Sequence, residues 1–167
     1  LTIIAPRHPE RGPAVADIAQ RAGLNVALRS QGALPTRDVD VYVADTIGEL
    51  GLFYRLAPIA FIGRSLVPLG GQNPIEPAKL GAAILHGPHV YNFADIYAAI
   101  DRANGALPVA DAESLAHALA MLLKDTARTR AMARAAAQTV ESLSGALERT
   151  MRAIEPYILH MDLRSNG

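Results

Sequence analysis

From residue 2 to residue 109, short apolar runs alternate with stretches of helical periodicity. The runs Thr2–Ala5, Asn25–Leu28, Val39–Ala44, Ile59–Ile62, Ala82–Leu85 and Ala106–Val109 predict strands. Between them, helices are predicted over Ala14–Ala22, Gly48–Leu56, Pro74–Leu80 and Ala94–Asn104. The first places Val15, Ile18 and Ala22 on one face and stops at Gly23; Gly81 and Gly105 end the last two. Ser30–Asp38, with Gly32 and Pro35, reads as a loop. From Ala112 onward the pattern is helical: Ser114–Lys124, Ala127–Leu143 and Ala146–Tyr157. The Ala-rich stretch around Arg130–Gln138 is a strong helix former.

Strands and helices alternating at this pitch imply parallel strands joined by crossover helices. The strands are short apolar runs, as expected where both faces are covered. The predicted fold is α/β: a Rossmann-like parallel sheet with helices on both faces and a helical C-terminal cap. It is assigned to one domain over residues 1–160, and 161–167, which carry no pattern, to a disordered tail. The chain opens Leu1-Thr2-Ile3-Ile4, already inside an apolar run and without a methionine, which reads as a piece of a longer protein.

Composition narrows the chemistry. Half of the 167 residues are hydrophobic but aromatics are 5% and Trp is absent, so the core is built from Ala, Leu, Ile and Val. Sixteen basic residues balance sixteen acidic ones, without the basic excess that phosphate neutralisation on nucleic acid calls for. No cysteine is present, which excludes disulfides, thiolate metal sites and a thiol nucleophile. His86 and His89 flank Gly87-Pro88, a pair that cannot lie on a helix, and no metal site is assigned.

Ligands of open parallel sheets sit beyond the carboxyl ends of the strands, which selects three loops. Pro6-Arg7-His8-Pro9-Glu10-Arg11 follows the first strand and offers guanidinium forks suited to phosphate or carboxylate; it also fits an ordinary solvated loop. Asp45-Thr46-Ile47-Gly48-Glu49 follows the third. Thr46 and Glu49 fit a capping box, while Gly48 suits close approach by a ligand. Gly70-Gly71-Gln72-Asn73-Pro74-Ile75-Glu76 combines a glycine turn, Asn73 as N-cap, Pro74 at the first helical position and Glu76 at the third. That arrangement is an anion site at a helix start, and Glu76 is either a capping acid or an acceptor for vicinal hydroxyls. The phosphate-loop, dinucleotide-fingerprint, nucleophile-elbow and HExxH motifs are all absent.

These stretches carry a resemblance. Ala5–Arg11, Asp45–Leu50, Ala60-Phe61-Ile62-Gly63-Arg64-Ser65-Leu66-Val67, Gly70–Glu76 and Gly87-Pro88-His89-Val90-Tyr91-Asn92-Phe93 occur in the order seen in the C-terminal half of the Kdo (3-deoxy-D-manno-octulosonic acid) transferase family. The chain resembles that half over about residues 1–160. The resemblance implies one half of a GT-B glycosyltransferase, the half that holds the donor CMP-Kdo. It implies CMP contacts at Pro6 and Arg7, at Ile47, Gly48 and Glu49, and at Asn73, Pro74, Ile75 and Glu76, with His8, Arg64, Gly70, Gly71 and Gln72 at the periphery. The family usually carries His where this chain has Gln72, and a small residue where it has Arg64.

By the same resemblance the acceptor is a lipid A precursor, held by an N-terminal half that also supplies the catalytic carboxylate. Transfer is inverting, with CMP as leaving group and no cofactor or metal, at the cytoplasmic face of the bacterial inner membrane in lipopolysaccharide synthesis. This piece alone is expected to bind nucleotide, to be soluble and to transfer nothing. Two alternatives remain open: the donor half of another GT-B enzyme using a UDP-sugar, and a non-catalytic α/β interaction domain.

Overall fold

The computed structural model describes the backbone of residues 1–165 and the side chains of residues 1–145. The chain divides into two compact units, Leu1–Leu56 and Ala57–Gly167, where the sequence had suggested one domain over 1–160. Each unit has its own three-stranded parallel sheet, in keeping with the predicted α/β class.

In the first unit the strands are β1 (Thr2–Ile4), β2 (Val26–Leu28) and β3 (Val41–Val43), in the order β1-β3-β2. The central strand aligns Tyr42 with Ile3 on one side and Ala27 on the other. Alternation along β3 sends its residues to two faces. Val41 and Val43 pack with Ala16 and Ala19 of α1 (Gly12–Arg21) and with Leu28. Tyr42 packs with Ala44 and with Phe53 of α2 (Leu50–Leu56). Both faces are covered, which is why this strand is apolar throughout.

The second unit orders its strands β4-β5-β6: β4 (Ile59–Ile62), β5 (Ala83–His86) and β6 (Ala106–Pro108). Central β5 is buried at every position. Ala83 and Leu85 face a cluster of Val109, Ala118 and Leu122 of α5 (Ala112–Lys124) and Met132 and Ala133 of α6 (Thr126–Ser165). Burying a leucine such as Leu85 or Leu122 contributes about 2 kcal/mol. On the other face the His86 ring lies 4.6 Å, centroid to centroid, from Tyr97 of α4 (Ala94–Arg102). α3 is a short helix, Ile75–Lys79.

Four local readings change. Helix α6 is continuous from Thr126 to Ser165, where two helices with a break near Ser144-Gly145 were expected. The hydroxyls of Thr139 and Ser144 bond back to the carbonyls of Ala135 and Val140, so they do not divert the backbone, and one interior glycine costs a helix only about 1 kcal/mol. The patternless stretch beyond Met161 enters this helix as far as Ser165; its side chains, and all of Asn166 and Gly167, lie outside the described residues. The alanines of α6 have a packing role beyond propensity: a Cβ on Gly105 would lie 2.5 Å from the backbone nitrogen of Ala136. Finally, α5 begins two residues early. Asp111 caps it by accepting from the Ser114 N–H at 2.8 Å, and the Ser114 hydroxyl receives the Asp111 N–H in return.

Candidate functional site

Parallel strands in one sheet end on one edge, so the segments after β1, β2 and β3 leave the first unit together. Ala44 donates its N–H to the carbonyl of Ile4 at 2.9 Å, carrying the β1–β3 pairing to the start of both candidate loops. After β1, Pro6 is half-buried while Arg7 and His8 are exposed. Arg7 has no ion-pair partner among the described residues, whereas His8 lies 3.7 Å from Glu10. The Arg7 guanidinium is therefore available to an external anion.

The loop after β3 is ordered by two acids. Asp45 is buried and accepts from the Ser30 N–H at 2.8 Å and from its hydroxyl at 2.6 Å. Burial pushes the Asp45 carboxyl upward, but hydrogen bonds from Ser30 and from the backbone of Asp45 and Arg29 together outweigh it and hold it below its ordinary value. Gly12, the first residue of α1, makes room for this side chain: a Cβ there would lie 2.5 Å from the Asp45 carboxylate. Glu49 is gripped by both arms of Arg29, from Nε at 3.0 Å and from Nη2 at 2.6 Å, and accepts from the Thr46 hydroxyl at 2.6 Å. The Arg29 hydrogen bonds, with that of Thr46, hold the Glu49 carboxyl down to about 2.

This replaces the capping box expected from Thr46-x-x-Glu49. Helix α2 starts at Leu50, one residue beyond Glu49, and the two side chains bond each other across the turn. Gly48 lies outside the helix with φ +89°, a region that favours glycine, and a Cβ there would meet nothing within 4 Å. Between Thr46 and Gly48, Ile47 is 87% exposed, a large apolar side chain with almost nothing covering it.

In the second unit the loop from Gly63 to Pro74 is held by neutral groups. Ser65 is fully buried; its hydroxyl donates to the Ile62 carbonyl at 2.5 Å and accepts from the Gly87 N–H at 2.8 Å. A Cβ on Gly87 would drive into the Ser65 backbone. Gly70 and Gly71 are buried with φ +87° and +69°, and a side chain on Gly70 would collide with Asn92. Arg64 adopts φ +62°, with its side chain exposed and its carbonyl accepting from the Gly71 N–H at 3.1 Å. Tyr97 donates its hydroxyl to the Gln72 carbonyl at 2.8 Å.

The helix after this loop starts one residue later than the sequence suggested. Pro74 is the N-cap and is fully buried, and Glu76 is the second helical residue rather than the third. Asn73 sits just outside and accepts from the Ile75 N–H at 2.9 Å. The helix has five residues and one of its first N–H groups is already taken, so its dipole is a weaker anion attractor than expected. What the loop does present is Glu76, exposed and without an ion-pair or hydrogen-bond partner for its carboxylate among the described residues.

Sequence reasoning gave no role to Arg29, Ser30, Ser65 or Asn92, although the last two fall in the stretches that carry the resemblance. The strand-end rule, applied to β2 as well as to its neighbours, would have found the first two. His86 is buried, its Nδ1 within 2.7 Å of the Gly87 carbonyl and its Nε2 3.1 Å from Asp101. Among the described residues no cluster of three or more His, Asp or Glu side chains is arranged to hold a metal, and no helix is long and apolar enough to cross a membrane.

The strand-end loops can be set against known proteins. A crystal structure of the C-terminal CMP-Kdo binding domain of WaaA from Acinetobacter baumannii matches with a TM-score of 0.79 and 34% identity, covering 83% of this chain and 72% of that one. The chain belongs to the Kdo transferase family. Curated 3-deoxy-D-manno-octulosonic acid transferases agree: that of Bordetella pertussis is 38% identical over 159 residues, and that of Haemophilus influenzae 34% over 159 residues. Both alignments take in 95% of this chain, which spans 37% of the length of each relative. No protein-family model matches. Arg7 and Glu49 lie on strand-end loops of this chain, and Glu76 in the first turn of the short helix that follows one.

Proposed function

We propose that this chain is the donor-nucleotide-binding part of a Kdo transferase, holding CMP-Kdo while an acceptor hydroxyl attacks the sugar. The likeness to a solved CMP-Kdo binding domain carries this reading. The proposed CMP contacts are Pro6 and Arg7, Ile47, Gly48 and Glu49, and Asn73, Ile75 and Glu76, with His8, Arg64, Gly70, Gly71 and Gln72 at the margin; Pro74, expected among the contacts, is fully buried as the N-cap of α3 and has no surface to offer a ligand. Arg7, exposed and unpaired, suits the single phosphate. Glu76, exposed and without a partner, suits two vicinal hydroxyls of a ribose. Ile47, almost wholly exposed, suits contact with a flat base.

In the reaction the acceptor oxygen bonds to the anomeric carbon, the bond from that carbon to the phosphate oxygen breaks, and CMP leaves with the electron pair. The acceptor proton passes to a carboxylate in the remainder of the protein. Arg7 opposes the charge that grows on the leaving phosphate. The acceptor is a lipid A precursor and the site of action the cytoplasmic face of the inner membrane, where a lipid acceptor and a soluble nucleotide donor meet. The proposed reaction uses no metal or cofactor, because a single phosphate asks for less cationic help than a diphosphate.

The test is Glu76→Ala. Losing charge-assisted hydrogen bonds to the ribose weakens CMP binding about tenfold to hundredfold, with the unfolding midpoint unchanged. Unaltered CMP affinity in this variant overturns the role given to Glu76.

A further inference from the structure

Arg29 and Ser30 follow β2 and belong to none of the candidate loops, yet they hold both acids that bracket residues 45–49. Ser30 holds Asp45, and Arg29 holds Glu49 in a fork. A carboxylate has about four acceptor positions. Arg29 takes one on each Glu49 oxygen, and Thr46 takes a second on Oε2. One position remains, on Oε1. We propose that Arg29 is a positioning residue of the nucleotide site, acting through Glu49 to fix the Ile47-Gly48 turn and to leave Glu49 a single acceptor position. Glu49 then recognises one amino or hydroxyl donor, not a vicinal diol, and the diol falls to Glu76. This rests on the nucleotide-binding reading given above.

A simple stabilising ion pair accounts for less of the geometry. The two side chains are half-buried, 30% and 29% exposed, and a pair this open to solvent makes only a modest contribution to stability. The pair is nevertheless built as a two-armed fork with a third donor, and it closes on the one turn of this unit that combines a left-handed glycine with an almost bare isoleucine. Arginine is suited to this because its donors are fixed in one plane.

The experiment is calorimetric titration of this chain with CMP, for the unchanged sequence, Arg29→Gln, Glu49→Gln and the double variant. It is run at a temperature where circular dichroism shows all four folded. Each single variant is expected to bind about tenfold more weakly, and the double variant no more weakly than the weaker single, because Arg29 works through Glu49. Arg29→Lys keeps the charge but not the fork, and is expected to behave as Arg29→Gln. Unchanged affinity in Arg29→Gln, independent losses that multiply in the double variant, or full rescue by lysine each overturn the proposal. Absence of CMP binding by the unchanged chain overturns instead the nucleotide reading beneath it. Binding there with no loss in Arg29→Gln removes the role of Arg29 alone.

Discussion

Two of the three loops proposed to meet the nucleotide are held in opposite ways. In the first unit, residues 45–49 are held by charge: Asp45 by Ser30 and Glu49 by Arg29 and Thr46. In the second, residues 63–74 are held by close packing and neutral bonds, through Ser65, Gly87, Asn92 and Tyr97. The consequence is a division of labour between two glutamates. Glu49 is mostly spent on its own loop, whereas Glu76 is left open to a ligand. An acid in a motif is thus not equivalent to an acid in a site; its existing partners decide how much recognition remains.

The largest effect that would break this contrast comes from the packed loop. Gly87→Ala forces a Cβ into the Ser65 backbone and is expected to cost about 3 kcal/mol, read by denaturant unfolding; a cost near zero would show that the loop is not held by packing. Asp45→Asn comes next. It keeps one acceptor but turns an amide, itself buried, toward the Ser30 donors, and about 2 kcal/mol is expected from the same measurement.

The charged loop also predicts a pH signature. Glu49 is held down to about 2, below its ordinary 4.5. The ionised carboxylate therefore stabilises the fold above about pH 4.5, and that contribution is lost as pH falls from 4.5 toward 2. Unfolding midpoints measured across this range should drop for the unchanged chain and drop less for Glu49→Gln. Parallel curves would place the acid sensitivity elsewhere, with Asp45, which shifts in the same direction, as the first group to examine. The smallest effect on stability is expected from Glu76→Ala, within about 0.5 kcal/mol as for an exposed side chain, which is what makes its loss of CMP affinity interpretable.

Much of the fold could be read from periodicity. Strand β4 falls on the residues predicted, Ile59–Ile62, and α4 starts at Ala94 as expected, because apolar alternation and terminal glycines are local signals. Boundaries shifted where a side chain did something other than its local motif suggested: Glu49 reaches Arg29 twenty residues away instead of capping a helix, and Asn73 bonds Ile75 from two positions before α3 begins. The three loops were legible because strand ends concentrate ligand chemistry. Arg29 directly follows β2 and was open to the same rule; only its pairing with Glu49, twenty residues away, is beyond any spacing rule. Gly48 was read as leaving room for a ligand; its positive φ supplies a second and sufficient reason for glycine. The division into two units, each with its own sheet, left no mark in a pattern that alternates evenly across Leu56 and Ala57.

The central claim is that this chain holds a cytidine monophosphate. Titrating it with CMP, UMP and UDP under one set of conditions tests that claim most directly. The account predicts saturable binding of CMP, tighter than that of either uridine nucleotide. Tighter binding of UDP, or no binding of CMP, would contradict it.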